Sequence, residues 1–116
     1  MKLNAKGMEL YNKWQKIWDE ATRLSVEEHG EKNAEYGWSS IEDYGFVNNI
    51  EDEVGLMVAV YYDTTPWDIM DLAESHHSTK DDEFTFGTTY GEFLAMLKPY
   101  FVFKDGEAEE IDKWIA

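Results

Sequence analysis

One face of the first quarter of the chain does most to fix what it can fold into. Leu10, Trp14, Ile17, Trp18, Ala21 and Leu24 recur at steps of three and four, the spacing that places side chains on one side of a helix. Lysines and carboxylates fill the positions between. The stripe predicts an amphipathic helix over about 4–28 whose apolar face, Trp14 and Trp18 included, must be covered by other elements. Gly30 is a suitable C-cap. The stretch HGEKNAEYGWSS that follows has the glycine and serine content of a loop.

Helix-start signals punctuate the rest. Two stretches begin alike, SIEDYGFV at Ser40 and NIEDEVGLM at Asn49. Ser and Asn are favoured N-cap residues, because their side-chain oxygens accept free backbone N–H groups of the first turn. Acids just inside that turn complement the helix dipole. The first signal predicts a short helix from Ile41 to about Val47. After the second, LMVAVYY fits a helix face or a buried strand, and the preceding cap favours helix. Thr65, Pro66 and Asp68 form a helix start running to about His76. FTFG alternates as a strand does and is expected to pair with YFVF. Thr89 and Glu92 match a capping box, opening a helix that stops before Pro99. Lys104-Asp105-Gly106 is a turn, and EAEEIDKWIA reads as a last helix docking through Ile111, Trp114 and Ile115. The expected fold is one α+β domain over 1–116, predominantly helical, with about five helices and one small hairpin or sheet. An all-α domain is the alternative.

Charge carries most of what can be said about function. The 116 residues hold 25 acids and 10 bases, for a net charge of −15. From Asn33 to Thr79 there is no Lys or Arg. Phosphate backbones are bound by basic side chains, so direct nucleic-acid binding is not expected, nor is attachment to an anionic membrane. With 43% hydrophobic and 16% aromatic residues, the chain has the apolar content that acidic disordered tails lack. No cysteine is present, which removes disulfides and thiolate metal sites. Neither a signal-peptide run nor an apolar stretch of membrane length occurs, so a cytoplasmic location is expected.

Two readings of the acids compete. Capping accounts for Glu42, Asp43, Glu51, Asp52, Asp68, Glu92, Glu107 and Glu109. It leaves Asp71, Glu74, Asp81, Asp82, Glu83 and Glu110 without a local role, and like charges three apart on a helix cost some stability. The candidate partner-binding set is therefore Glu42, Asp43, Glu51, Asp52, Glu53, Asp68, Asp71, Glu74, Asp81, Asp82 and Glu83, with Trp38 as an aromatic anchor among them. The expected partner is a basic host or defence protein, and the expected state a monomer or homodimer. In size, acidity, lack of cysteine and lack of catalytic motifs, the chain is similar to the small DNA-mimic inhibitors of phages and mobile elements, such as anti-restriction and anti-CRISPR proteins. That similarity is one of composition and transfers no residue roles. An immunity-type protein or adaptor neutralising one basic toxin or enzyme is the alternative. A metal site or hydrolase built on Asp63–Glu83, with His76 and His77, is a third reading. No metal signature, nucleophile elbow, phosphate loop or dinucleotide fingerprint supports it, and no cofactor is expected.

Overall fold

The computed structural model describes residues 2–36, 38–60 and 78–115. Among these, the order is β1 (Lys2–Leu3), α1 (Ala5–His29), α2 (Trp38–Asp43), α3 (Ile50–Val60), β2 (Glu83–Thr85), β3 (Thr88–Thr89), α4 (Tyr90–Leu97), a 3-10 turn (Lys98–Tyr100), β4 (Phe101–Val102) and α5 (Glu107–Ile115). The domain is α+β and predominantly helical, with two small antiparallel sheets. The helix expected after Thr65 lies outside the described residues.

The long α1 forms as its stripe requires. Asn4 is the N-cap and accepts the Gly7 N–H at 2.8 Å. The same side chain donates to the Pro99 carbonyl at 2.7 Å, and the Asn4 N–H donates to Tyr100 O at 3.0 Å. One residue thus caps a helix and ties the chain start to the turn after α4. At the other end, Gly30 has φ 77° and returns its N–H to Val26 O, a positive-φ stop that a side chain bearing Cβ disfavours.

Helix α2 departs from expectation. It starts at Trp38, two residues before Ser40, and Ser40 is a buried residue inside it rather than its N-cap. It also ends earlier, at Asp43. Gly45 has φ 74°, the Phe46 N–H reaches Ile41 O, and the Gly45 N–H reaches Glu42 O. This is a Schellman stop, with Phe46 packed on the same cluster as Ile41. Counting back from that glycine places the helix start in what had looked like loop. At the next helix the prediction holds. Asn49 Oδ1 accepts the Asp52 N–H at 2.9 Å, and Asp52 reaches back to the Asn48 N–H at 3.1 Å.

Helix α3 is the centre of the molecule. Val54, Met57 and Val58 join a core with Tyr90, Phe93, Leu94, Leu97, Phe101 and Ile111. Leu56 and Ala59 join a second core with Trp14, Ala21 and Ile41. A helix buried on all sides is apolar all round, which explains why LMVAVYY did not show a clear period. Gly55 has a specific role here. A Cβ at this position would lie 1.9 Å from the Trp14 indole nitrogen, so only glycine lets the tryptophan lie directly on the α3 backbone.

The expected pairing of FTFG with YFVF is replaced by two separate pairings. Strand β2 pairs with β3, Thr85 opposite Thr88, across Phe86 (φ 49°) and Gly87 (φ 75°). Two successive left-handed residues suit a tight hairpin, whose twist matches that of its strands. Strand β4 pairs instead with β1, Leu3 opposite Phe101, because Asn4 holds the chain start against 99–100. The Thr89–Glu92 capping box is present on both sides, and α4 gives way to the 3-10 turn at Lys98-Pro99. No helix among the described residues is long and apolar enough to cross a membrane.

Candidate partner-binding site

Glu28, Glu35 and Asp43 converge where the end of α1, the 31–36 segment and α2 meet. Packing brings them together. Buried Ser25 on α1 accepts the Glu35 N–H at 2.7 Å, which fastens the connecting segment to the helix it leaves. The Glu35 carboxyl then meets Asp43 on α2. A hydrogen bond that the protonated Glu35 carboxyl donates to Asp43, reinforced by the negative charge of Asp43, raises Glu35 above the usual carboxylate range. Beside them the Tyr44 hydroxyl donates to Glu28 Oε2. That hydrogen bond and partial burial push the phenol up to about 12.

Along α2 and α3 the acids divide by role. Glu42 is exposed, and its Oε1 accepts the indole N–H of half-buried Trp38 one turn back. Trp38 is therefore a helix residue fixed to an acid, where a loop residue was expected. Glu51 and Asp43 are exposed, and Asp52 is partly occupied with its capping bond. Glu53 does not belong to the surface at all. It is 5% exposed. Burial, and secondarily the charge of Glu42, push its carboxyl up to about 7.

The second described group is Asp81, Asp82 and Glu83, all exposed, in the turn leading into β2. Asp82 accepts the Thr79 N–H at 2.6 Å and serves that turn. Asp81 and Glu83 have no ionic partner among the described residues. Asp68, Asp71 and Glu74, with His76 and His77, lie outside the described residues. No group of three or more potential ligands placed to hold a metal occurs among the described residues.

Among the described residues, three of the bases pair with acids outside the candidate set. Arg23 lies between Glu20 at 2.6 Å and Glu27 at 2.9 Å; hydrogen bonding and charge raise its own affinity for the proton and lower that of Glu20. Lys98 pairs with Asp112 and Lys113 with Glu110. Among the described residues, no ion pair involves Glu42, Asp43, Glu51, Asp52, Glu53, Asp81, Asp82 or Glu83.

Sequence reasoning overlooked Glu28, Glu35 and Tyr44. A usable signal was present in Ser25. A serine on the apolar side of an amphipathic helix needs a hydrogen-bond partner when buried, and here that partner is the segment carrying Glu35. Compared with protein-family models, curated proteins and solved structures, the chain matches none.

Proposed function

We propose that this is a small acidic binding protein, acting in the cytoplasm, that occupies a basic surface on another protein and inhibits it. The surface it takes is one that normally holds nucleic-acid phosphates. The observation that carries this reading is the corner built from Glu28, Glu35, Glu42 and Asp43. These exposed carboxylates have no lysine or arginine paired to them among the described residues, and the nearness of Asp43 raises the affinity of Glu35 for its proton. Such crowding costs the compact state energy through self-repulsion. A partner's Lys/Arg cluster would relieve it, as phosphates relieve the same cluster when nucleic acid is bound. No reaction is assigned to the chain in this reading.

The test is capture of basic proteins from a lysate of the source cell, repeated at rising salt and in the presence of duplex DNA. Capture that weakens steeply with salt, and that DNA displaces, supports a phosphate-mimicking surface. Capture that DNA leaves untouched favours the second reading, an immunity-type protein or adaptor with one dedicated basic partner. The observation behind that second reading is Trp38, an aromatic side chain locked to Glu42 inside the patch, which is the composition of an interface anchor.

A further inference from the structure

Phe86 occupies the first of the two left-handed positions in the β2–β3 turn, with φ 49°. That position suits asparagine or glycine, and a bulky side chain is costly there. The ring is also 50% exposed, so burial offsets little of the cost. The hairpin beneath it is firmly set. Phe84 packs on the Tyr90 and Phe93 rings, each with a centroid separation of 4.8 Å. Across the turn, the Thr88 hydroxyl donates to Thr85 O at 2.6 Å. Fold stability therefore gives no reason for an aromatic at this tip, and strain kept in a rigid, exposed turn is a mark of function. At the base of the hairpin stand Asp81 and Glu83, exposed and without an ion pair among the described residues.

Beyond the far end of α4, the β1–β4 ribbon has the complementary character. Lys2, Val102, Phe103 and Lys104 line an open groove of about 280 Å³, room enough for a phenyl ring. Val102 is 48% exposed. Neither lysine is ion-paired among the described residues. Of the neighbouring acids, Asp105 lies in the following turn, and Glu107 accepts the Lys104 N–H at 2.7 Å. Two lysines on the rim make this groove a poor match for a basic partner. They make it a good match for an aromatic side chain flanked by carboxylates, and this chain carries one.

We propose that two copies of this chain associate through these patches: Phe86 of one copy enters the groove between Lys2 and Lys104 of the other, where its Asp81 and Glu83 meet the two lysines. A two-fold arrangement makes the contact twice and leaves neither patch open. The hairpin is fastened to the start of α4, and the groove follows its end, about 12 Å of helix away. A copy therefore cannot dock its own tip. Repulsion between copies of net charge −15 opposes the contact; salt of physiological strength, with a Debye length of about 8 Å, screens the distant charges and spares those in contact. The proposal is independent of the acidic corner, since Glu28, Glu35, Glu42 and Asp43 belong to neither patch.

Sedimentation equilibrium of the full chain in physiological salt, from micromolar to millimolar concentration, is the test. The average mass is expected to climb from that of one chain, 13.6 kDa, toward that of two. Phe86→Asn suits the turn better. It is expected to resist urea better than wild type and to associate at least about tenfold more weakly. Lys2→Glu/Lys104→Glu and Asp81→Lys/Glu83→Lys chains should each stay monomeric alone and associate when mixed, because both contacts of the mixed pair then join opposite charges. A wild-type mass that stays at one chain throughout would overturn the proposal. So would association of Phe86→Asn equal to that of wild type, or reversed-charge chains that remain monomeric when mixed. None of these results bears on capture of a basic partner by the corner.

Discussion

Replacing Glu53 by glutamine should make this protein more stable at neutral pH, and the gain should vanish in mild acid. The side chain is 5% exposed and its carboxyl is pushed up to about 7 from an ordinary value of 4.5. In the folded protein the group prefers to stay protonated, whereas in the unfolded chain it ionises above 4.5. Between those values the folded state binds more protons than the unfolded state, so stability falls as pH rises. The contribution of the neutral carboxyl is fully present below about 4.5 and is lost as pH passes through about 7. At about 1.4 kcal/mol per pH unit, the full loss comes to about 3 kcal/mol, a large share of the stability of a small domain. Glutamine has nearly the same shape and no charge, so Glu53→Gln should match wild type near pH 4.5 and exceed it by about 3 kcal/mol near pH 8. Urea denaturation of both proteins across that pH range measures the difference directly, and titration of the other acids cancels between them. A difference that is flat with pH would refute the argument, because it would mean that Glu53 ionises in the fold as it does in the unfolded chain.

Other expectations follow from the same geometry. Gly55→Ala should cost about 2 kcal/mol or more by thermal or urea unfolding: the added methyl meets the buried Trp14 indole, and overpacking of 1–3 kcal/mol or above outweighs a helix-propensity gain of about 1 kcal/mol. Asn49→Ala should cost about 1 kcal/mol for the lost cap, with no effect on the pH dependence that Glu53 creates. In a spectrophotometric alkaline titration, Tyr44 should ionise near 12, above an ordinary tyrosine, and Glu28→Gln should lower it. A titration unchanged by Glu28→Gln would show that the Tyr44–Glu28 bond does not form in solution.

Local signals were legible in the sequence and non-local ones were not. Asn49, and Thr89 with Glu92, announced their helices because a cap acts within four residues. Ser40 carried the same signal and misled, because the start of α2 is set from its far end by the Gly45 stop and the packing of Ile41 and Phe46. Of the expected strand FTFG, only Phe84 and Thr85 lie in β2, Phe86 and Gly87 form its turn, and its partner is not the expected YFVF. Pairing with 88–89 depends on two left-handed residues in the turn, and pairing of β4 with β1 depends on Asn4, some 95 positions from the carbonyl it holds. At the site, the exposure of Glu42, Asp43 and Glu51 followed from polarity alone. The burial of Glu53 did not, since three successive acids, Glu51, Asp52 and Glu53, open α3 and polarity alone does not tell which of them points inward. The meeting of Glu35 with Asp43 required knowing that Ser25 anchors the intervening segment.

The central claim is that the unpaired carboxylates of this corner are kept for a basic partner rather than for solubility. Reversing charge at Glu42 and Asp43 together tests it most directly, because neither is bonded to a base among the described residues. Wild-type and E42K/D43K chains, both verified as folded, would be compared for capture of basic, DNA-binding proteins at low salt. Capture by the wild type that is displaced by duplex DNA and abolished in the double variant is the predicted result. Equal capture by the two proteins would contradict the account.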